Sequence, residues 1–208
     1  AQKKFEAVWG AKLSSKPGLT LMEMMAAAGS GAIKAIYVMG ENPLLSDPDL
    51  QHVKKELQKL DLMIVQDIFL TETAQLADVV LPVAGFAEKE GTFTNTERRV
   101  QRVRKALNPP GEAKTDWEVI SGIAKKMGYE MNYSSAKEIF EEVRKATPSY
   151  AGITYDRLEK GGIQWPCPTM EHQGTKFLHK DKFSRGLGLF TALEYIPPDE
   201  LPDKQKVI

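Results

Sequence analysis

The fold is decided by Lys34-Ala-Ile-Tyr-Val-Met39, Leu62-Met-Ile-Val-Gln66 and Asp78-Val-Val-Leu-Pro82. Each run is short and almost wholly apolar, which is typical of a strand that is covered on both faces of a parallel sheet. Helical patterns lie between the runs, at 46–60 and 71–76. This alternation predicts an α/β fold: a Rossmann-like three-layer sandwich with a mainly parallel sheet, followed by an irregular C-terminal tail.

Polar residues follow each predicted strand. In open α/β sheets, ligands bind beyond the carboxyl ends of the strands, so we expect these residues to meet in one crevice. Taken alone, Asn42, Asp67 and Asp116 are more simply explained as turn or cap residues, whereas the whole set favours a binding site. A carboxylate suits the N–H groups of a guanine edge, and a lysine suits a phosphate. The candidates are Asn42, Gln66, Asp67, Lys89 and Asp116.

The composition excludes several classes of protein. The 208 residues carry 28 acidic and 28 basic side chains, so nothing in the charge favours nucleic acid. No apolar run approaches the ~20 residues of a membrane span. The only cysteine, Cys167, is compatible with a reducing compartment, and we expect a cytoplasmic location. The absence of an initiator methionine at Ala1 suggests a piece of a longer chain.

The later part of the chain has a different pattern. We expect a hairpin or extended segment over 91–104, a helix from Thr115 or Asp116 to Lys126, and another helix from Ser134. Regular structure becomes sparse after Thr147. The sequence therefore predicts a cofactor-binding α/β domain over 1–130 and a helical and irregular extension over 131–208, which packs against other parts of a longer enzyme.

Known catalytic signatures are missing from the sequence. It has no G-x-S-x-G, H-E-x-x-H or P-loop motif, and no Cys/His spacing for zinc or an iron–sulfur cluster. Cys167 lies between two prolines and is more simply a small structural residue than a nucleophile. We therefore assign no catalytic residue and no metal ligand to this chain.

Longer motifs carry a family resemblance. Val65 to Pro82, Ala87 to Gln101 and Gly111 to Trp117 resemble the molybdopterin oxidoreductases. With Tyr37 to Pro43 and Gln164 to Pro168, they are most similar to the catalytic alpha subunits of molybdenum- or tungsten-dependent formate dehydrogenases. The resemblance implies that molybdopterin guanine dinucleotide is held along the strand ends by the candidate residues given above, with Gly40 and Glu41 as their neighbours in the first loop.

The resemblance also implies what other segments supply. Family members are longer and carry a cysteine-rich segment for a four-iron, four-sulfur cluster, together with a cysteine or selenocysteine ligand for the metal. We therefore expect this chain alone to be inactive and to bind no iron–sulfur cluster. Asp67 or Asp116 would suit guanine or the ribose hydroxyls. Arg98 and Arg99 would either neutralise pyrophosphate or form surface ion pairs.

Three functions remain open at this point. In the first, the chain is part of a formate dehydrogenase, and the intact enzyme would oxidise formate to carbon dioxide, with electrons leaving through the iron–sulfur cluster. In the second, it is part of another molybdopterin enzyme such as nitrate reductase. In the third, it is a structural domain of a respiratory-complex subunit. The expected partners are the remaining segments of the polypeptide and electron-transfer subunits. An exposed sheet edge would also permit a homodimer of this piece.

Overall fold

The computed structural model describes residues 2–195, and the chain divides into two compact units, Ala1–Thr175 and Lys176–Ile208. All the helices and strands named here lie in the first unit. The helices are α1 Gln2–Trp9, α2 Leu21–Gly29, α3 Pro43–Ser46, α4 Leu50–Leu57, α5 Glu72–Leu76, α6 Asp116–Lys126, α7 Ala136–Ala146 and α8 Tyr155–Leu158. The strands are β1 Ala35–Met39, β2 Leu62–Asp67, β3 Val79–Pro82, β4 Gly91–Thr94, β5 Arg99–Val103 and β6 Ile163–Gln164.

The first sheet is parallel, in the order β1-β2-β3. Its register places Met39 beside Gln66 and Gln66 beside Leu81, so the three strands end at the same edge. The parallel α/β architecture predicted from the three apolar runs is therefore confirmed. Because the strand ends are aligned, the polar residues that follow them are brought to one side of the sheet.

One face of the first sheet is buried beneath helices. Its core consists of Met25, Val38, Val53, Leu57, Met63, Val65 and Ala74, which come from α2, α4, α5, β1 and β2. On the opposite face, Tyr37 and Met39 are 41% and 49% exposed, and Leu62 is also exposed. The apolar strands are thus covered on only one side at these positions by the described residues.

Local sequence signals place most of the helix starts correctly. Thr20 begins α2 with a capping box, in which its main-chain N–H donates to Glu23 over 2.7 Å. Thr71 begins α5, Thr115 begins α6 and Ser135 begins α7.

The helix predicted over 46–60 is present as α4, but it is shorter than predicted and begins later, because its N-cap is Asp49 rather than Ser46 or Asp47. The short α3 precedes it. Pro43 at the start of α3 favours a separate turn there. The Asp49 carboxylate accepts the His52 N–H over 3.2 Å, so this later cap sets the start of the second helix.

The second sheet is antiparallel, and residues of the C-terminal tail contribute to its hydrophobic core. The predicted hairpin is confirmed as β4 and β5, and β6 pairs with β5. Residues 147–175 are more regular than expected, because they supply α8 and β6. Their side chains complete a second core, which consists of Val100, Phe140, Ile153, Tyr155, Leu158, Ile163 and Cys167.

The described part of the second unit, 176–195, contains a tight turn. Phe183 and Gly186 exchange main-chain hydrogen bonds of 2.9 Å, and the rings of His179 and Phe183 lie 5.2 Å apart. Residues 196–208 of the predicted extension lie outside the described residues, and the proposed boundary near residue 130 stays a prediction. Within residues 2–195, no helix is long and apolar enough to cross a membrane.

Candidate functional site

Four side chains form a connected polar network at the carboxyl edge of the first sheet. Gln66 is fully buried at the end of β2, and its side-chain carbonyl accepts a hydrogen bond from the Tyr37 hydroxyl. Its Nε2 donates to Asp116 Oδ1 over 2.9 Å, and the other carboxylate oxygen of Asp116 pairs with the Lys89 ammonium. Burial raises the pKa of the Tyr37 phenol, and the negative charge of Asp116 raises it further.

Asp116 reaches this edge because of how α6 begins. A capping box fixes the start of the helix, since Thr115 donates its N–H and its hydroxyl to Glu118 over 2.9 and 2.6 Å. Just before it, the Ala84 N–H donates to the Lys114 carbonyl over 2.8 Å, which ties the start of α6 to the chain after β3. As the first residue of α6, Asp116 also lies where the helix dipole stabilises a carboxylate.

A second cluster surrounds Asn42, in the loop after β1. The Asn42 amide donates to Glu72 Oε2 over 2.8 Å, and its carbonyl accepts the Thr73 hydroxyl over 2.6 Å. The buried Thr73 oxygen in turn accepts the Leu44 N–H over 3.1 Å. The hydrogen bond from Asn42 is the main reason why the pKa of Glu72 is lowered.

The remaining candidates lie at the same edge but outside both networks. The Gly40 N–H donates to the Gln66 carbonyl over 2.9 Å, and its φ of +63° favours glycine. Asp67 is half-buried, and its Oδ1 accepts the Phe69 N–H over 3.0 Å. Glu41 is exposed. The structure therefore joins Gln66, Lys89 and Asp116 directly and leaves the other candidates as neighbours along the strand ends.

Sequence analysis missed three members of these networks. The sequence pattern identifies Tyr37 only as a strand residue. Tyr37 faces the same side of the sheet as Gln66, and the period-two alternation of a strand could have shown this. Glu72 and Thr73 were counted only as part of α5. Nothing local in the sequence pairs them with Asn42, about 30 positions earlier, since the contact depends on how β2 and α5 return to the edge.

The two arginines after β4 serve the second sheet. Arg98 donates to the Trp165 carbonyl, and also to the Thr175 carbonyl over 3.1 Å. Arg99 pairs with Glu97 over 2.6 Å and donates to the Gly162 carbonyl over 3.1 Å. Arg99 therefore forms the surface ion pair that was one of the two roles expected for these arginines. Both side chains also connect the hairpin to the segment around β6.

A cavity of about 370 Å³ lies against Lys89. It is bounded by the chain after β3, the loop before α6 and the N-termini of α6 and α7, and Trp117 forms part of its wall. Its charged lining residues are Lys89, Lys105 and Lys114 together with Glu88, Glu90 and Glu118. The lysines give the cavity groups that can bind phosphate oxygens.

Comparison with known proteins identifies the class. The family model described as molybdopterin oxidoreductase matches residues 2–126, and the chain belongs to this family. Both candidate networks, around Asn42 and around Asp116, lie within the matched residues.

The most similar relatives include formate dehydrogenases. The F420-dependent formate dehydrogenase subunit alpha of Methanocaldococcus jannaschii is 57% identical over 206 residues, which are 97% of this chain and 30% of that protein. Formate dehydrogenase H of Escherichia coli is 42% identical over 214 residues, which cover 100% of this chain and 30% of that protein. The chain thus spans about 30% of the length of these relatives.

A solved structure shares the fold. Acetylene hydratase from Pelobacter acetylenicus matches with a TM-score of 0.58 and 25% sequence identity, over 77% of this chain and 23% of that one. The match agrees with the α/β architecture that β1, β2 and β3 form with their helices.

Proposed function

We propose that this chain is the cofactor-binding part of a formate dehydrogenase alpha subunit and that the carboxyl edge of its first sheet holds molybdopterin guanine dinucleotide. The observation that carries this proposal is the network of Gln66, Asp116 and Lys89, which presents a carboxylate and an ammonium group where parallel strands end. Membership of the molybdopterin oxidoreductase family supports the choice of cofactor.

The residues at this edge fit a dinucleotide. Each Asp116 oxygen has one partner in the network, and a carboxylate offers about four acceptor positions, so it can still accept the N–H groups of a guanine. The Asp116 side chain is 34% exposed and is therefore accessible. Lys89, with the other lysines of its cavity, suits the phosphates.

The other candidates complete the proposed site. Asp67 has a carboxylate oxygen with no hydrogen bond from the described residues, and it would accept ribose hydroxyls. Asn42 is held in place by Glu72 and Thr73, and with Gly40 and Glu41 it would shape the first loop of the site. The buried Gln66 would act by orienting Asp116.

The bound cofactor would supply the molybdenum or tungsten centre at which the complete enzyme oxidises formate to carbon dioxide. The residues of this chain bind and orient the cofactor, and we assign none of them to catalysis or metal ligation. The iron–sulfur cluster, the electron-transfer subunits and the rest of the polypeptide belong to the same proposal. Formate is favoured as substrate because the relatives named above are formate dehydrogenases.

Calorimetric titration of the chain with GDP, and with ADP as a control, tests the site. We expect guanine-selective binding in the millimolar range, about −4 kcal/mol, because a nucleotide reproduces only part of the cofactor. Asp116→Asn should weaken GDP binding roughly tenfold, since hydrogen bonds to charged groups contribute about 1.5–3 kcal/mol. Asp156→Asn, an exposed carboxylate on α8, should leave the affinity unchanged.

Equal affinity for GDP and ADP, or no effect of Asp116→Asn, would contradict the proposed site. If a folded chain binds neither nucleotide, the same titration is repeated on the cofactor-free, full-length gene product. If that protein also binds neither nucleotide, a purely structural domain is favoured. Formate turnover by the loaded full-length enzyme is a separate test. Its absence would refute the substrate and leave the cofactor site standing.

A further inference from the structure

An incompletely bonded carboxylate lies beneath the surface near the end of β1. Asp47 follows α3 and is only 8% exposed. Its Oδ1 accepts the Ser46 hydroxyl over 3.4 Å, and its Oδ2 is buried with no hydrogen-bond partner among the described residues. A buried carboxylate without partners is costly, so a donor from elsewhere would remove a large unfavourable contribution.

Asp47 lines a cavity that differs from the one at Lys89. The cavity measures about 320 Å³ and lies between α2 and β1. Its walls are mostly apolar, with Leu21 and Met24 on the helix and Met39 on the strand, and Glu41 adds a second carboxylate to the lining. Within the described residues β1 pairs only with β2, so the cavity opens beside a free strand edge.

The lining determines which group would fit. Apolar walls with the two carboxylates of Asp47 and Glu41 suit an aliphatic stem that ends in a cation. Methionines adapt to such a stem, and guanidinium is more weakly hydrated than ammonium and binds a carboxylate through two parallel hydrogen bonds. A metal ion would need more ligands, and no group of three His, Cys, Asp or Glu side chains suited to a metal occurs within residues 2–195.

We propose that this cavity receives an arginine side chain from a segment of the longer protein that lies outside this chain. The positive charge would complement Asp47, and the free edge of β1 can pair with an extended segment that carries the arginine. The relatives are about three times as long as the matched region, so a complete protein has ample chain to supply that segment.

Titration of the chain with n-butylguanidinium, followed by NMR of ¹³C-methyl-labelled methionines, tests the cavity. We expect saturable shifts at Met24 and Met39, whereas the neutral analogue n-butylurea should produce shifts at least about fivefold smaller at equal concentration, because it lacks the charge. Asp47→Asn should weaken binding of the guanidinium about tenfold. The matched control is Asp61→Asn, an exposed carboxylate that pairs with Lys34 over 3.7 Å and should change nothing.

The stability of the variant gives a second readout. Asp47→Asn removes a buried charge that lacks a full set of partners, so it should unfold at the same denaturant concentration as the parent chain or a higher one. A variant that unfolds more easily, or fails to fold, would show that Asp47 supports the chain itself and would overturn the proposal.

Equal responses to the guanidinium and the urea would also overturn it, as would unchanged binding by Asp47→Asn. Analytical ultracentrifugation tests a different occupant, a second copy of the chain. If the Met24 and Met39 signals shift with dimer formation in the absence of any probe, the edge is an interface between copies and the arginine is excluded.

Discussion

The two sheets of the first unit use their polar side chains in different ways. At the parallel sheet, Gln66, Asp116 and Lys89 converge on the edge where the strands end. At the antiparallel sheet, Arg99 of β5 donates to the Gly162 carbonyl over 3.1 Å and thereby holds the segment that leads into β6. Parallel strands align their carboxyl ends, so they bring polar groups to one edge, whereas the antiparallel sheet uses its charged groups to hold irregular chain.

The hydrophobic cores of the two sheets also differ in how they are built. The first core covers one face of its sheet and leaves Tyr37 and Met39 exposed on the other. The second core is closed over Ile153 and Cys167, which are both fully buried. At Gly152 an added Cβ would lie 1.9 Å from the Thr169 carbonyl oxygen, so the tail packs closely enough to exclude a side chain. Close packing of the tail thus helps to complete the second core.

The largest expected effect is on the second core. Ile153→Ala should reduce the free energy of unfolding by about 2–5 kcal/mol, because it leaves a cavity in a closed core. Hydrogen exchange should show that the amides of β5 lose more protection than those of β2. Ile68→Ala is the control, since Ile68 is 53% exposed and its loss should change stability by less than about 0.5 kcal/mol. Equal loss of protection in both sheets would show a single cooperative core.

An intermediate effect is expected at the edge of the parallel sheet. Gln66→Leu should cost about 1–3 kcal/mol in denaturant unfolding, because the Tyr37 hydroxyl and Asp116 each lose a buried partner. The same change at Gln101, an exposed residue of β5, should have little effect. If the two variants are equally stable, the network at the sheet edge contributes nothing to folding.

The smallest effect concerns Glu72, on the surface beside Asn42. Its pKa lies below the ordinary 4.5, first because Asn42 donates to it and second because of its own main-chain N–H. A lowered folded-state pKa stabilises the fold above the ordinary value, and this contribution is lost as the pH falls through the folded-state pKa. Asn42→Ala should therefore raise the pKa of Glu72 towards 4.5 in a carboxyl NMR titration.

Glu138 provides the control for that titration. Its pKa is also lowered, in this case by hydrogen bonds from the Ser134 side chain and main chain at the start of α7. Asn42→Ala should leave it unchanged. A Glu72 pKa that does not respond to Asn42→Ala would show that the hydrogen bond between them is not formed in solution.

Local patterns in the sequence were sufficient for much of the fold. Three apolar runs predicted β1, β2 and β3, and cap residues such as Thr71 and Thr115 predicted where helices begin. These signals are short-range, because a strand or a cap depends on residues within a few positions. The N-cap predicted for α4 was wrong for the same reason: Ser46, Asp47 and Asp49 can each cap a helix, and local preference does not choose among them.

The candidate site was only partly accessible to such reasoning. The sequence by itself predicted the parallel α/β class, a hairpin or extended segment over 91–104, and the set of polar residues that follow the strands. Only the tertiary structure paired Gln66 with Asp116, which lie 50 positions apart, and brought Tyr37 to Gln66 and Thr73 to Asn42. It also decided that Ile153 and Cys167 fill the second core. Such contacts depend on how strands and helices return to one another in space, and no local pattern of residues encodes that return.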